Sequence, residues 1–124
     1  MIDFIKIVLL ICFMWDVKKL DCYWKAIDLI GVFDEVVLRF PKFEKYELGS
    51  QIRRAIASIS GNMAEGADKF TSKDYISYLH NATGSCGEME NWVLVIFRKG
   101  YISEIKRDEL LDELGSIKRM LYGL

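Results

Sequence analysis

The sequence predicts an all-α protein, an antiparallel up-down four-helix bundle, and three observations lead to that fold. Apolar residues recur at spacings of three and four along four successive segments, which is the helical period. No stretch alternates apolar and polar residues as a half-buried strand would. Short turns join the four segments, so consecutive helices are expected to run antiparallel.

The composition limits the classes of function. The chain has 124 residues, 52% apolar and 28% charged, which fits one compact domain and excludes a disordered tail. Seventeen Lys and Arg oppose eighteen Asp and Glu, and no segment is a polybasic arm. Cys12, Cys22 and Cys86 include no Cys-x-x-Cys pair, so neither a disulfide framework nor a zinc site is indicated. We therefore expect a reduced, cytoplasmic protein.

Residues 1–16 are predicted to form an apolar N-terminal arm ahead of a bundle domain at 17–124. The arm contains nine consecutive apolar residues, Ile7–Trp15, far fewer than the roughly 20 that span a bilayer. Three interpretations stay open: a signal or anchor, an arm that packs on the domain or a neighbour, and a start-site artefact with translation beginning at Met14. The mass of protein expressed from its native upstream region tests the third, which predicts that residues 1–13 are missing.

The first two helices are delimited by Pro41 and by a glycine. Helix one is predicted from about Val17 to Arg39, because Pro41 stops a helix and restricts the residue before it. Its apolar residues cover more than half of its circumference, which predicts burial on two sides. Helix two is predicted from about Glu47 to Gly66, with the glycine as its C-terminal signal.

Helix two separates into three faces when each residue is rotated 100° from the one before. The apolar stripe comprises Leu48, Ile52, Ala55, Ile56, Ile59 and Met63. The polar stripe beside it comprises Gln51, Arg54, Ser58, Asn62 and Glu65. The remaining face comprises Arg53, Ala57, Ser60 and Ala64. Its small residues would let another helix approach closely.

Two hydroxyl residues predict where the last two helices begin. Thr71 is expected to cap helix three, which continues to about Lys99, and Ser103 to cap helix four, which continues to about Tyr122. Gly100 separates them. The predicted seam of helix three comprises Tyr75, Leu79, Ala82, Cys86, Met89, Val93 and Phe97, and that of helix four Leu110, Leu114, Ile117 and Leu121.

The polar stripe has two interpretations, a solvated face or a hydrogen-bonded network between helices, and we favour the network. Glu90 falls within the apolar arc of helix three, where an unpaired carboxylate costs several kcal/mol. We expect Glu88 and Glu90 to pair with Arg53 and Arg54, which would set the register of helices two and three.

The residues do not support catalysis or a cofactor. A di-iron bundle needs Glu-x-x-His pairs, whereas the single histidine, His80, follows Ser77 at that spacing. Ser85 has no base and positioning acid at a recognisable spacing, and the glycines match no phosphate loop. We expect no catalytic residue, metal, cofactor, small-molecule substrate or membrane partner. An enzyme using Glu65 or Glu90 as a buried acid-base is the remaining catalytic alternative.

Two separated segments carry a resemblance to a known family. YELGSQIRRAIASISGNMAEG, Tyr46–Gly66, is followed by GSCGEME, Gly84–Glu90, and the similarity covers about residues 20–124. The chain resembles the four-helix bundle family of 23S rRNA intervening-sequence proteins, and it is distantly similar to the accessory variability proteins of diversity-generating retroelements. The resemblance implies a cytoplasmic bacterial bundle, a ring-like homopentamer and no catalytic activity.

The family motif maps onto eleven positions of this chain. They are Gln51, Arg53, Arg54, Ser58, Asn62, Glu65, Gly66, Gly84, Ser85, Glu88 and Glu90. Six small residues are candidates for helix contact: Ala57, Ser60, Ala64, Gly66, Gly84 and Ser85. Ile59-Ser60-Gly61-Asn62 lacks the proline that the family usually has there, and Ala67-Asp68-Lys69 lacks the arginine that follows Ala-Glu-Gly. Lysine cannot reproduce the bidentate fork of arginine on a phosphate.

The leading hypothesis is a non-catalytic homo-oligomeric scaffold that binds RNA or a nucleic-acid enzyme such as a reverse transcriptase. Basic clusters motivate it, and the candidate nucleic-acid contacts are Arg53, Arg54, Lys69, Lys73, Arg98 and Lys99. Further basic pairs are Lys106 with Arg107 and Lys118 with Arg119. The alternative is a protein-protein interaction module with no direct nucleic-acid contact, in which these charges serve solubility and assembly.

Overall fold

A computed structural model describes residues 3–6, 16, 17 and 20–124, and four long helices account for most of them. They are α1 (Asp21–Leu38), α2 (Glu47–Ala67), α3 (Ser72–Arg98) and α4 (Glu104–Tyr122), with a 3-10 turn at Lys42–Glu44. No strand occurs among the described residues, and the helices pack against one another as a bundle. The predicted all-α fold is confirmed. The arm segment Ile7–Trp15 lies outside the described residues.

Helix α1 begins four residues later than predicted. Leu20 has the extended dihedrals φ −93° and ψ 121°, which interrupt helical geometry, and the helix starts at Asp21. At the other end, α1 stops at Leu38, and the Phe40 and Pro41 backbone leads into the 3-10 turn. The proline therefore ends the helix as predicted.

The predicted caps of α3 and α4 are confirmed. The Thr71 hydroxyl accepts the backbone N–H of Asp74 at 3.2 Å, and the Ser103 hydroxyl accepts that of Lys106 at 3.1 Å. Each bond satisfies one of the N–H groups that a helix start leaves without a partner. Between these helices Gly100 has φ +80°, a conformation that glycine adopts without steric cost.

The core is built from the predicted stripes. All six apolar-stripe residues of α2 and all four seam residues of α4 are buried. In α3 the seam is buried from Leu79 to Val93, while Tyr75 and Phe97 at its ends are half-buried. Cys22 and Cys86 are free thiols within this core.

The bundle has two ends that differ in their connections. We call the end formed by connections 39–46 and 99–103 the loop end, and the end formed by connection 68–71, the start of α1 and the end of α4 the turn end. Contact is most extensive between α2 and α3 and least extensive between α1 and α4.

Candidate functional site

At the loop end the two connections are joined through Glu44. Its carboxylate accepts a hydrogen bond from the Tyr101 hydroxyl and lies 3.3 Å from the Lys99 ammonium nitrogen. The Tyr101 ring also packs on Phe40, with ring centroids 5.2 Å apart. We call Glu44, Lys99 and Tyr101 the loop clasp, and it holds the 3-10 turn against the start of the α3–α4 connection.

The clasp shifts the titration of its own members. The hydrogen bond from Tyr101, reinforced by Lys99, holds the pKa of the Glu44 carboxyl below its usual value. The same hydrogen bond to Glu44 raises the pKa of the Tyr101 hydroxyl. Both shifts favour the pair in which the carboxylate is charged and the tyrosine is protonated.

Cations without acidic partners collect around this clasp. Arg39, Lys42, Lys45 and Arg98 all lie in or beside the two loop-end connections. None of the four forms an ion pair with a described residue, and only Glu44 supplies an acidic side chain within residues 39–46 and 99–103. Glu47, the first residue of α2, is a second carboxylate beside these connections, and with it the loop end still carries five cations against two carboxylates, a net positive charge.

Sequence reasoning found only part of this surface. Arg98 and Lys99 were among the candidate nucleic-acid contacts, whereas Arg39, Lys42 and Lys45 were not. The available signal was the alternation of basic and aromatic residues in Lys42-Phe43-Glu44-Lys45-Tyr46. Which of these cations would lack an acidic partner depends on the packing of two connections that are distant in the chain.

The other four candidate nucleic-acid contacts do not join this surface. Arg53 lies 3.6 Å from an Asp34 carboxylate oxygen, and Arg54 is exposed without an ion-pair partner among the described residues. Lys69 lies over the Tyr78 ring at 5.2 Å, and Lys73 is exposed at the start of α3. The two lysines belong to the turn end. The six residues therefore do not form one patch.

The Lys106 and Arg107 cluster of α4 is neutralised by neighbouring acids. Lys106 pairs with Glu109, and Arg107 pairs with both Glu104 and Asp108. The guanidinium of Arg107 also lies over a phenylalanine ring of α3 at 4.3 Å. These cations have a lower capacity to attract a polyanion than those of the loop end.

A short hydrogen-bonded chain joins α2 to α3 at the middle of the bundle. The Ser58 hydroxyl donates to Ser85 Oγ at 2.7 Å, and the Ser85 hydroxyl donates to the Asn81 carbonyl at 3.1 Å. The Asn62 amide donates to the Ser58 carbonyl at 2.7 Å. Ser58, Asn62 and Ser85 thus form the part of the predicted polar network that the structure brings together.

The predicted pairing of Arg53 and Arg54 with Glu88 and Glu90 is wrong. Glu90 instead lies 3.2 Å from the Lys118 ammonium of α4, and this pairing raises the pKa of the lysine. The reason is rotational, since five residues turn a helix by about 140°. Glu90 is five residues past Ser85, which faces α2, so it faces α4. Arg53, five residues before Ser58, faces α1.

The remaining members of the predicted network are exposed. Gln51, Glu65 and Glu88 are exposed to solvent. None of these side chains makes a hydrogen bond or ion pair with another described residue. The solvated interpretation therefore holds for these three positions. The network is confined to the small uncharged residues at the α2–α3 contact.

The candidate helix-contact residues divide into two groups. Gly66 is buried, and a Cβ added there would lie 2.8 Å from the Tyr78 Cβ atom, so α3 crosses α2 closely at this point. Gly66 is not the end of the helix, contrary to prediction, because α2 continues to Ala67 with Asp68 as its C-cap. A Cβ added at Gly84 would meet no atom within 4 Å, so Gly84 makes no such contact within the described chain.

The small face of α2 is only partly covered. On this face Ser60 is buried, Ala64 is half-buried and Ala57 is exposed, and on α3 the candidate Ser85 is buried. The Ser60 hydroxyl donates to the Ala57 carbonyl at 3.4 Å, so this bond lies within α2 and does not join it to another helix. Ala57 and Gly84 are therefore surface positions of the described chain.

Two adjoining clefts follow the sparse contact between α1 and α4. Their volumes are about 480 and 330 Å³, and both are lined by Val32 and Lys106. Glu65 and Glu90, the carboxylates of the catalytic alternative, line neither cleft. In the described ranges 3–6, 16–17 and 20–124, no group of three His, Cys, Asp or Glu residues is arranged to hold a metal ion. Among the described helices none is long and apolar enough to cross a bilayer.

Comparison with known proteins places this bundle in a family. A search of curated proteins finds no match. Six solved chains match, including a Bacteroides thetaiotaomicron protein of unknown function from the S23 ribosomal protein family. That protein is 20% identical, with a TM-score of 0.75, and the match covers 82% of this chain and 92% of the other. This likeness shows the shared fold. The family model described as 23S rRNA-intervening sequence protein matches residues 18–123, and the chain therefore belongs to that family.

Proposed function

We propose that the protein is a non-catalytic, homo-oligomeric scaffold of the cytoplasm that binds RNA through its loop end. The observation that carries this proposal is the group of four cations, Arg39, Lys42, Lys45 and Arg98, that have no ion-pair partner among the described residues. Cations that are not already neutralised release counterions when they bind phosphates, which drives association with nucleic acid. The family name, which refers to a sequence within 23S rRNA, supports the same class of partner.

An apolar line on the outer face of α1 supports self-association. Trp24, Ile27, Gly31 and Leu38 share one side of the helix, and Trp24 and Leu38 expose 48% and 56% of their surface. Asp34 and Glu35 interrupt this line between Gly31 and Leu38, so Trp24 and Leu38 are two separate exposed apolar groups that a neighbouring copy would bury. A ring of copies, which we propose to be a pentamer, would cover this line and would present the loop end several times to one RNA. Such repetition multiplies weak individual contacts.

A titration with labelled structured RNA at about 50 and about 200 mM salt tests the proposal. We expect binding that weakens steeply with salt in the wild-type protein. The double variant Lys42→Gln/Lys45→Gln should bind about tenfold more weakly at the lower salt and lose about one unit of salt slope per substitution.

The double variant Lys73→Gln/Arg119→Gln is the matched control, because it removes the same charge from exposed turn-end positions. It should bind like the wild type. Equal losses in the two double variants would show attraction by net charge alone and would contradict a site at the loop end.

The second candidate function is a protein-protein interaction module, and the apolar line on α1 favours it. Its partner would be a polypeptide such as a reverse transcriptase, which the distant similarity to accessory variability proteins implies. Absence of RNA binding by the wild-type protein even at low salt would remove direct RNA contact and leave this function.

A further inference from the structure

Two aromatic side chains project from the loop end into solvent. Phe43 and Tyr46 expose 77% and 81% of their surface, whereas Phe40, three residues before Phe43, exposes 3%. A single connection of the chain therefore buries one ring in the core and leaves two rings outside it. The exposed rings contribute little to packing, so their positions invite an explanation in terms of binding.

The segment that carries these rings is held in place from both sides. Phe40 anchors it in the core, and Glu44, which lies between the two rings in sequence, is bound to Tyr101 and Lys99 of the other connection. Pro41, with φ −53°, further restricts the backbone before the turn. The segment that carries the rings is therefore anchored before a ligand arrives. A ligand that contacts the rings would not have to immobilise the loop first.

Cations alternate with the rings along the same segment. Lys42 precedes Phe43 and Lys45 precedes Tyr46, and neither lysine has an ion-pair partner among the described residues. A surface that combines exposed rings with unpaired cations suits a polyanion that displays flat apolar faces. Single-stranded nucleic acid has both features, because its bases are unpaired and its phosphates are close to them. A duplex conceals the faces of its bases within the stack.

The turn end also has an exposed ring, but the charges around it differ from those at the loop end. Phe70 is 90% exposed there, but its connection carries Asp68 together with Lys69, whose ammonium lies over Tyr78. The charges of residues 68–74 around Phe70 cancel, because Asp68 and Asp74 balance Lys69 and Lys73. Residues 39–47 around Phe43 and Tyr46 carry three cations against Glu44 and Glu47, and Arg98 and Lys99 of the other connection increase this positive excess. The association of rings with excess positive charge is specific to the loop end.

We propose that unpaired RNA nucleotides stack on Phe43 and Tyr46 while Lys42 and Lys45 bind their phosphates. This inference rests on the proposed function and specifies the RNA: single strands and the loops of structured RNA, in preference to uniform duplex. Stacking on rings tolerates any base, so the preference is for strandedness and not for one sequence.

Fluorescence anisotropy with an end-labelled oligouridylate of about 20 nucleotides, and with a blunt RNA duplex of the same length, tests the inference. Wild-type protein should bind the single strand more tightly. The variant Phe43→Ala/Tyr46→Ala should lose at least about tenfold in single-strand affinity, from stacking on two rings, while its salt slope stays at the wild-type value because no phosphate contact is removed.

Three controls separate base stacking from other causes of a weaker affinity. Phe70→Ala, an equally exposed ring at the other end, should bind like wild type, and so should Phe43→Tyr/Tyr46→Phe, which keeps both rings. Light scattering should give the same mass for Phe43→Ala/Tyr46→Ala as for wild type. A lower mass would assign the rings to contact between copies and overturn the inference.

The result can separate this inference from the function on which it rests. Wild-type affinity in Phe43→Ala/Tyr46→Ala, together with weakened binding in Lys42→Gln/Lys45→Gln, would overturn base stacking and leave RNA binding at the loop end standing. Equal wild-type affinity for single strand and duplex would also overturn it. Failure of the wild-type protein to bind either RNA would overturn both proposals.

Discussion

The α2–α3 interface and the loop end use polar residues in opposite ways. At the interface the polar groups are small and uncharged, and they bond to one another or to nearby carbonyls, as Ser58 and Ser85 do. At the loop end the polar groups are long and cationic, and most have no acidic partner among the described residues. The difference indicates that the interface serves helix packing, whereas the loop end remains available to a ligand.

The largest effect should come from filling the close crossing at the interface. Gly66→Val would place side-chain atoms where a Cβ alone would lie 2.8 Å from the Tyr78 Cβ. We expect the free energy of unfolding to fall by about 2–3 kcal/mol, as overpacking typically costs. Urea titration followed by circular dichroism measures it.

Gly61→Ala is the matched control for that substitution. Gly61 lies in the same helix, is exposed, and would have no atom within 4 Å of a new Cβ. Alanine should therefore stabilise the helix by about 0.5–1 kcal/mol. A loss of stability in Gly66→Val together with a gain in Gly61→Ala would sharpen the distinction between the close crossing and the exposed surface of α2. A neutral Gly66→Val would show that the crossing can open without cost.

A smaller effect should follow from breaking the hydroxyl chain of the interface. Ser58→Ala and Ser85→Ala should each lower the free energy of unfolding by about 1 kcal/mol, because each removes the partly buried hydrogen bond between the two hydroxyls and a contact to a carbonyl of its own helix. The double variant should lose less than the sum, with a coupling of about 0.5–1 kcal/mol measured by a double-mutant cycle. Strict additivity would mean that the two hydroxyls act independently.

The loop clasp should show the weakest effect and the only one that depends on acid. The folded-state pKa of Glu44 is depressed, so its contribution to stability is present above the unfolded value, near 4.5, and is lost as pH falls through the folded value. Tyr101→Phe removes the main cause of that shift. Its deficit in urea midpoint relative to wild type should therefore shrink between about pH 7 and about pH 3.

Ser58→Ala provides the contrast in the same experiment. No titratable group takes part in the Ser58–Ser85 hydrogen bond, so the deficit of this variant should stay constant over the same pH range. A Tyr101→Phe deficit that does not change with pH would show that the Tyr101 hydroxyl stabilises the fold without favouring the charged form of Glu44, since the variant keeps the ring that packs on Phe40.

The elements of the fold could be predicted because their signals are local. Thr71 and Ser103 cap helices through their own hydroxyls, and Pro41 ends α1 through its own ring. The apolar stripes follow from the helical period alone. Each of these effects acts within a few residues of its source, so a single sequence contains the information.

The partners of charged residues could not be predicted, because they depend on how each helix is rotated against its neighbours. The helical period placed Arg53 on the face of α2 with the small residues without saying which neighbour it would face, and the structure pairs it with Asp34. Gly66 shows a second ambiguity, since a glycine near a helix end serves equally as a stop signal and as a point of close contact. Only the position of Tyr78 distinguishes the two.

The burial of two sulfur atoms in the core has a practical consequence. Burial raises the pKa of the Cys86 thiol to about 12 and also raises that of Cys22. Only thiolates react readily with alkylating agents and peroxides, so both side chains stay inert while the bundle is closed. Once Cys12 is replaced by serine, the rate at which excess reagent modifies the remaining thiols measures how fast the bundle opens spontaneously. The measurement needs no attached dye or probe.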